Sequence, residues 1–159
     1  MHERQRWGAY IRDSIIEPSI GKDILMLEHV RKPAILRQLF AIALSHPAEI
    51  IALHKLSAGL TEKGSMATAS HYLGLLQEAS LVASLPKFSP EIIRRRSSPP
   101  KLIVLNQAYL GATIAESATP LSQDPIRFGR WVENACVAHA RNSGQAVHYW
   151  REEPYEVDM

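Results

Sequence analysis

The sequence predicts an α+β chain, mostly helical. Three observations predict it: apolar residues recur at helical spacing through the first half, two short β-type runs follow, and a long helical pattern then gives way to extended segments. The 159 residues include 18 basic and 16 acidic side chains, 46% hydrophobic positions and 21% charged ones. That is the composition of a folded globular chain, not of a disordered or collagen-like one, and the length suffices for one good core or two small ones. No apolar run approaches the roughly 20 residues a bilayer needs. The start, Met1-His2-Glu3-Arg4-Gln5-Arg6, is polar with no apolar stretch behind it, so a cytoplasmic protein without membrane contact is expected. Cys136 is the only cysteine, which excludes an internal disulfide and a cysteine-based zinc site. A net charge of +2 is too small to imply nucleic acid by itself.

The elements follow in order. Trp7, Tyr10, Ile11, Ser14 and Ile15 lie at helical spacing, predicting an amphipathic helix that stops near Glu17 because Pro18 disfavours helical backbone before it. Asp23 to Val30 is short and apolar and reads as another helix. Pro33 fits a first helical turn, and Ile35, Leu36, Leu39, Phe40 and Ala43 form a wide apolar stripe ahead of Pro47. Ile50-Ile51-Ala52 reads as a short strand, and Leu53, Leu56 and Leu60 as a helix ending at Gly64. Ser65 is a good N-cap for a third helix with Ala69, Leu73 and Leu76 inward. Leu81 to Leu85 and Lys101 to Leu105 are strands joined by a long proline- and arginine-rich loop. Between Pro33 and Leu105 the order is therefore helix, strand, helix, tight turn, helix, strand, loop, strand, which is that of a winged helix-turn-helix. Ala108 to Ala118 is helical in character, and residues 119–125 form a connector. Asp124 can cap a long helix from Pro125 to Asn142, ended by Gly144. Ala146 to Arg151 is a strand candidate, and Pro154 separates it from an extended segment, Tyr155 to Met159.

Three groups of residues are candidates for chemistry. Between Ser65 and Ser80 the third helix has no lysine or arginine, which is poor for reading a DNA groove and favours packing or a protein contact. In the loop between the strands, Lys87, Arg94, Arg95, Arg96 and Lys101 face only Glu91 locally. They could straddle a phosphate backbone, or they are a solvated charge run or pair with carboxylates elsewhere. Glu133 has Gly129, Val137 and Ala140 around it on its helix, and Glu156 and Asp158 share one side of a strand. Converging carboxylates can hold magnesium. An acidic rim plus a helical glutamate paired with an arginine is the favoured alternative. The seven histidines show no zinc-type spacing, and there is no phosphate loop, dinucleotide fingerprint or G-x-S-x-G elbow.

The segments 16–24 (IEPSIGKDI), 71–76 (HYLGLL) with Leu81, 100–106 (PKLIVLN), Trp131-Val132-Glu133-Asn134, Tyr149-Trp150-Arg151 and Glu156-Val157-Asp158 occur in an order that resembles one known arrangement. It is similar to the domain of unknown function that follows the ATPase module in prokaryotic AAA-type ATP-binding proteins. The resemblance implies a winged-helix half followed by a degenerate PD-(D/E)XK nuclease-like half. On that pattern Glu133 matches the helical acid and Asp158 the strand aspartate, while the (D/E)-x-K strand and its lysine have no counterpart. The implied division is a helical extension (1–32), a winged helix-turn-helix domain (33–106), a helical connector (107–123) and a partial nuclease-like helix-plus-strands segment (124–159). A final strand without its next neighbour is expected to be frayed, swapped or covered by another chain.

The resulting expectation is a region that is not an enzyme and uses no cofactor or metal: an accessory part of an AAA-type ATPase-like protein. Its winged helix would contact the ATPase module, in cis or in trans, or duplex nucleic acid. The alternatives are a DNA-binding winged-helix regulator and a magnesium-dependent nuclease remnant using Glu133, Glu156 and Asp158.

Overall fold

The computed structural model describes residues 2–24, 26, 30–60, 65–91, 97–117 and 119–158. In chain order these contain α1 (His2–Ile11), α2 (Pro33–Ser45), β1 (Glu49–Ile50), α3 (Leu53–Ala58), α4 (Met66–Glu78), β2 (Val82–Leu85), β3 (Lys101–Val104), α5 (Gln107–Glu116), α6 (Pro125–Asn142), β4 (Tyr149–Glu152) and β5 (Tyr155–Asp158). The class is α+β with a helical majority and small antiparallel sheets.

The first helix does not stop at Glu17. It runs on through two π-helical stretches, Arg12–Ile16 and Ser19–Ile24, on either side of Pro18. A proline ring presses on the carbonyl four residues back and cannot donate, and the widened turn ahead of Pro18, closed by Glu17 N–H on the Arg12 carbonyl, makes room for it. The second helix expected over Asp23 to Val30 falls partly on residues 25 and 27–29, outside the described ones.

α2 begins at Pro33 and buries Ile35, Leu36, Leu39, Phe40 and Ala43, the stripe its periodicity demands. α3 is shorter than its pattern. It ends at Ala58, with Gly59 as the cap, and residues 61–64 of the expected extension lie outside the described ones. α4 starts as its cap predicts, with Ser65 Oγ accepting from Thr68 N at 3.1 Å. At its end Leu81 N donates to the Leu76 carbonyl at 3.0 Å and Ser80 adopts φ +56°, a tight closure that turns the chain into β2.

β3 is the centre of an antiparallel sheet of order β1-β3-β2. Because β1 is two residues long, it covers only the start of β3: Ile51 N donates to the Pro100 carbonyl at 3.0 Å and Ala48 N to the Leu102 carbonyl at 2.9 Å. At Val104 the same edge is completed by a side chain. Asn134 of α6, fully buried, accepts from Val104 N at 2.9 Å and donates to the Val104 carbonyl at 2.8 Å. Its carboxamide offers one donor and one acceptor in the arrangement a neighbouring strand would.

The pleat gives β3 two different faces. Leu102 and Val104 join the larger core, formed with α1, α2, α4 and α5 and including Ile11, Ile20 and Leu110. Ile103 joins a smaller one with Leu85, Val137, Ala138, Val147 and Tyr149. Ile11, Ile16, Ile20, Ile24 and Val30 ahead of α2 and the apolar residues of α5 thus share one core with the three-stranded sheet. α1 passes close to α5 at Gly111, where a Cβ would stand 2.8 Å from Trp7 Cη2, the tip of a half-exposed ring.

α6 opens as predicted, Asp124 accepting from Arg127 N at 3.0 Å, and closes at Gly144, φ +81°. The strand expected over 146–151 begins later, at Tyr149, and pairs with β5 in the register Tyr149↔Asp158 and Arg151↔Glu156. The last strand therefore has a partner along one edge. Tyr149 anchors the hairpin: it is 2% exposed, its hydroxyl donates to the Pro99 carbonyl at 2.6 Å, and its N–H donates to the Pro86 carbonyl at 3.2 Å.

Candidate functional site: a buried lysine among three carboxylates

Lys101 opens β3 on the same face as Ile103, and that face packs against α6 and the hairpin. The residue is 0% exposed. A buried ammonium is costly unless it is paired, and three carboxylates pair it. Lys101 Nζ donates to Glu133 Oε1 from α6, to Glu156 Oε1 at 2.8 Å, and to both oxygens of Asp158 at 2.9 Å. Asn134 brings Glu133 there, because its clip on Val104 sets α6 across the end of β3. Strand alternation brings the other two: Glu156 and Asp158 point inward while Tyr155 and Val157 point to solvent, 69% and 49% exposed.

The cluster is electrostatically unbalanced. Three carboxylates meet one ammonium, so formally two negative charges are left over. Further cations stand along the adjoining cleft, whose volume is about 510 Å³. Arg130 pairs with Glu49, which also lies 3.3 Å from His46 Nδ1, and Arg151 lies 3.8 Å from Glu156 Oε2 while holding Glu153 at 2.5 Å. The local charges and burial set the direction of each pKa. Burial works to lower the Lys101 pKa, but its bonds to Glu133, Glu156 and Asp158 together outweigh that and raise it above the usual lysine value. Glu133 is also raised above the usual carboxylate range. Desolvation is the main cause and Asp158 adds to it, against the lowering influence of Lys101. Burial, and next the charge of Glu156, raises the Tyr149 hydroxyl.

Among the described residues, Glu133, Glu156 and Asp158 can each offer one oxygen, and these oxygens lie within 4.8 Å of one another. That donor set fits a hard divalent cation. In this arrangement the Lys101 ammonium is bonded to Oε1 of Glu133 and of Glu156 and to both oxygens of Asp158, so a cation would share these carboxylates with it.

The structure sorts the sequence candidates unevenly. Glu133, Glu156 and Asp158, grouped as one candidate set in the sequence, are brought together, and the partner of Glu133 is a lysine, not the arginine of the alternative reading. Lys101, grouped in the sequence with the cations of the inter-strand loop, is corrected: it is wholly buried and cannot reach a phosphate backbone from that loop. Lys87 is half-buried and bridges to Tyr149. Arg94, Arg95 and Arg96 lie outside the described residues. Two participants were missed. Lys101 is the one charged residue opening an otherwise apolar strand, on the same strand face as Ile103, and Asn134 falls on the inward stripe with Val137 and Ala138; both signals were legible.

No curated protein and no solved structure matches the chain. A family model does match residues 1–119, a span that takes in the three-stranded sheet with Lys101 and ends ahead of α6 and the hairpin. The chain belongs to that family, a domain of unknown function (DUF8612).

Proposed function

We propose that the chain is a non-catalytic interaction region of an AAA-type ATPase-like protein, whose winged-helix half docks on a protein partner, the ATPase module being the expected one. The order α2-β1-α3-α4-β2-β3 with the antiparallel sheet β1-β3-β2 supports a winged-helix reading of this half. One observation carries the choice of a protein partner. The outward face of α4, with Met66, Ala67, Ser70, His71, Gln77 and Glu78 exposed, has no lysine or arginine. A groove-reading helix draws most of its affinity from phosphate neutralisation, whereas a face without cations that bears methionine suits a protein surface.

Titration of the chain into labelled duplex DNA, read by fluorescence anisotropy over a salt series, tests this. The expected result is no saturable binding even at about 50 mM salt. Tight binding that weakens linearly in log salt would replace the protein partner with DNA. A second reading, a magnesium-dependent phosphodiester-cleaving remnant, is favoured by the convergence of Glu133, Glu156 and Asp158 beside a cleft lined by Arg130 and Arg151. In it the three carboxylates would hold the metal, which supplies a Lewis acid and an activated water. It requires magnesium-dependent cleavage of DNA that disappears in Asp158→Asn; a chain that leaves DNA intact at high concentration rules it out.

A further inference from the structure

We infer that β5 is a strap held to the body of the protein by an ionic clasp on Lys101, able to come away while the rest of the fold stays intact. The two strands of the hairpin are attached in different ways. β4 is anchored by apolar burial and main-chain bonds: Tyr149 sits in the smaller core, donates to the Pro86 carbonyl, and its own carbonyl accepts from Phe88 N at 2.6 Å. β5 buries no apolar side chain, since Tyr155 and Val157 are exposed.

Apart from the main-chain ladder with β4, the side chains of β5 are held chiefly by the Lys101 ammonium, which bonds both Glu156 and Asp158, with the Glu133 carboxyl hydrogen-bonded beside Asp158. Glu156 keeps 35% of its side-chain surface and Asp158 13%, so the attachment runs from a buried ammonium out to the edge of the cleft and involves no apolar side chain of β5. Loss of the ammonium contact removes the bonds that hold β5 to the body, and leaves the clustered carboxylates, whose oxygens lie within 4.8 Å of one another, with only Arg151 near Glu156 as a counter-charge. A strap detached from the body is then a two-stranded ribbon, which is marginal in water and frays. Its departure uncovers Lys101 and widens the cleft beside Arg130 and Arg151. This inference does not depend on whether the partner of α4 is a protein or DNA.

Amide hydrogen exchange in the full chain, wild type against the doubly neutral Glu156→Gln/Asp158→Asn variant, tests the clasp. Both substitutions are on the strap itself and keep side-chain volume. Protection at residues 155–158 is expected to fall at least about tenfold in the variant, while α2, α4 and β3 keep theirs. Unchanged protection at 155–158 overturns the inference, because the strap would then be held by something other than charge. An equal loss throughout α2, α4 and β3 also overturns it, because the carboxylates would then support the whole fold and not a separable strap.

Discussion

Replacing Lys101 with methionine removes the ammonium while filling almost the same volume, so the change isolates charge from packing. The wild-type side chain is fully buried and bonded to three carboxylates. Removing one partner of a buried ion pair costs about 3–5 kcal/mol, chiefly because the remaining charge is left uncompensated. Here the remaining charges are not fully buried: the Glu133 and Glu156 side chains keep 38% and 35% of their surface, and water screens them once the lysine is gone. That discount leaves about 2–3 kcal/mol at neutral pH. For a chain of this size the melting temperature should drop by roughly 4–12 °C. Thermal unfolding followed by circular dichroism at pH 7 measures it, and repeating the melt at acidic pH, where Glu133, raised by burial, is protonated and one negative charge is removed, should shrink the gap between variant and wild type. A Lys101→Met protein melting within about 2 °C of wild type at pH 7 would refute the reasoning, since it would mean that the carboxylates do not need their counter-charge.

Two further outcomes follow from the same geometry. The Glu133 pKa is raised in the folded state, so the fold holds a proton that the unfolded chain has already released; this contribution is present below the ordinary carboxylate pKa and fades as pH rises through the raised value. Glu133→Gln, which keeps an acceptor for Lys101, should therefore be no less stable than wild type at pH 7, and its stability should change less between about pH 5 and pH 7; melts steeper in pH than wild type would contradict the sign. Asn134→Ala strips the partners from the buried Val104 N–H and carbonyl, each left unsatisfied at about 1–3 kcal/mol, so a loss of about 2–6 kcal/mol is expected in urea unfolding with an unchanged slope. A loss below about 1 kcal/mol would show that water replaces the carboxamide at the sheet edge.

Much of the fold was legible because the rules that govern it are local. Pro33 and the stripe from Ile35 to Ala43 state where α2 starts and which face it buries; Ser65 and Asp124 state where α4 and α6 begin; Leu81–Leu85 and Lys101–Leu105 read as strands from composition. Prediction failed where a local rule met a longer-range one. Pro18 did not end the first helix, since π turns beside it absorbed the strain while Ile16, Ile20 and Ile24 stayed in the core. Gly59 ended α3 before its apolar spacing ran out.

By itself the sequence determined the class of the fold, most of its elements, and the presence of three carboxylates at Glu133, Glu156 and Asp158 with helix and strand spacing that lets them share a face. Only the tertiary structure decided that they meet, and that they meet on Lys101. Residues 101 and 158 are far apart in the chain, and whether a lysine at the start of a strand waves in solvent or sits in a core depends on which face of the sheet α6 and the hairpin cover. Their placement is set by Asn134 at the edge of β3 and Tyr149 in the smaller core. Burial and charge pairing are properties of neighbours in space, and those neighbours exist only once the chain has closed on itself.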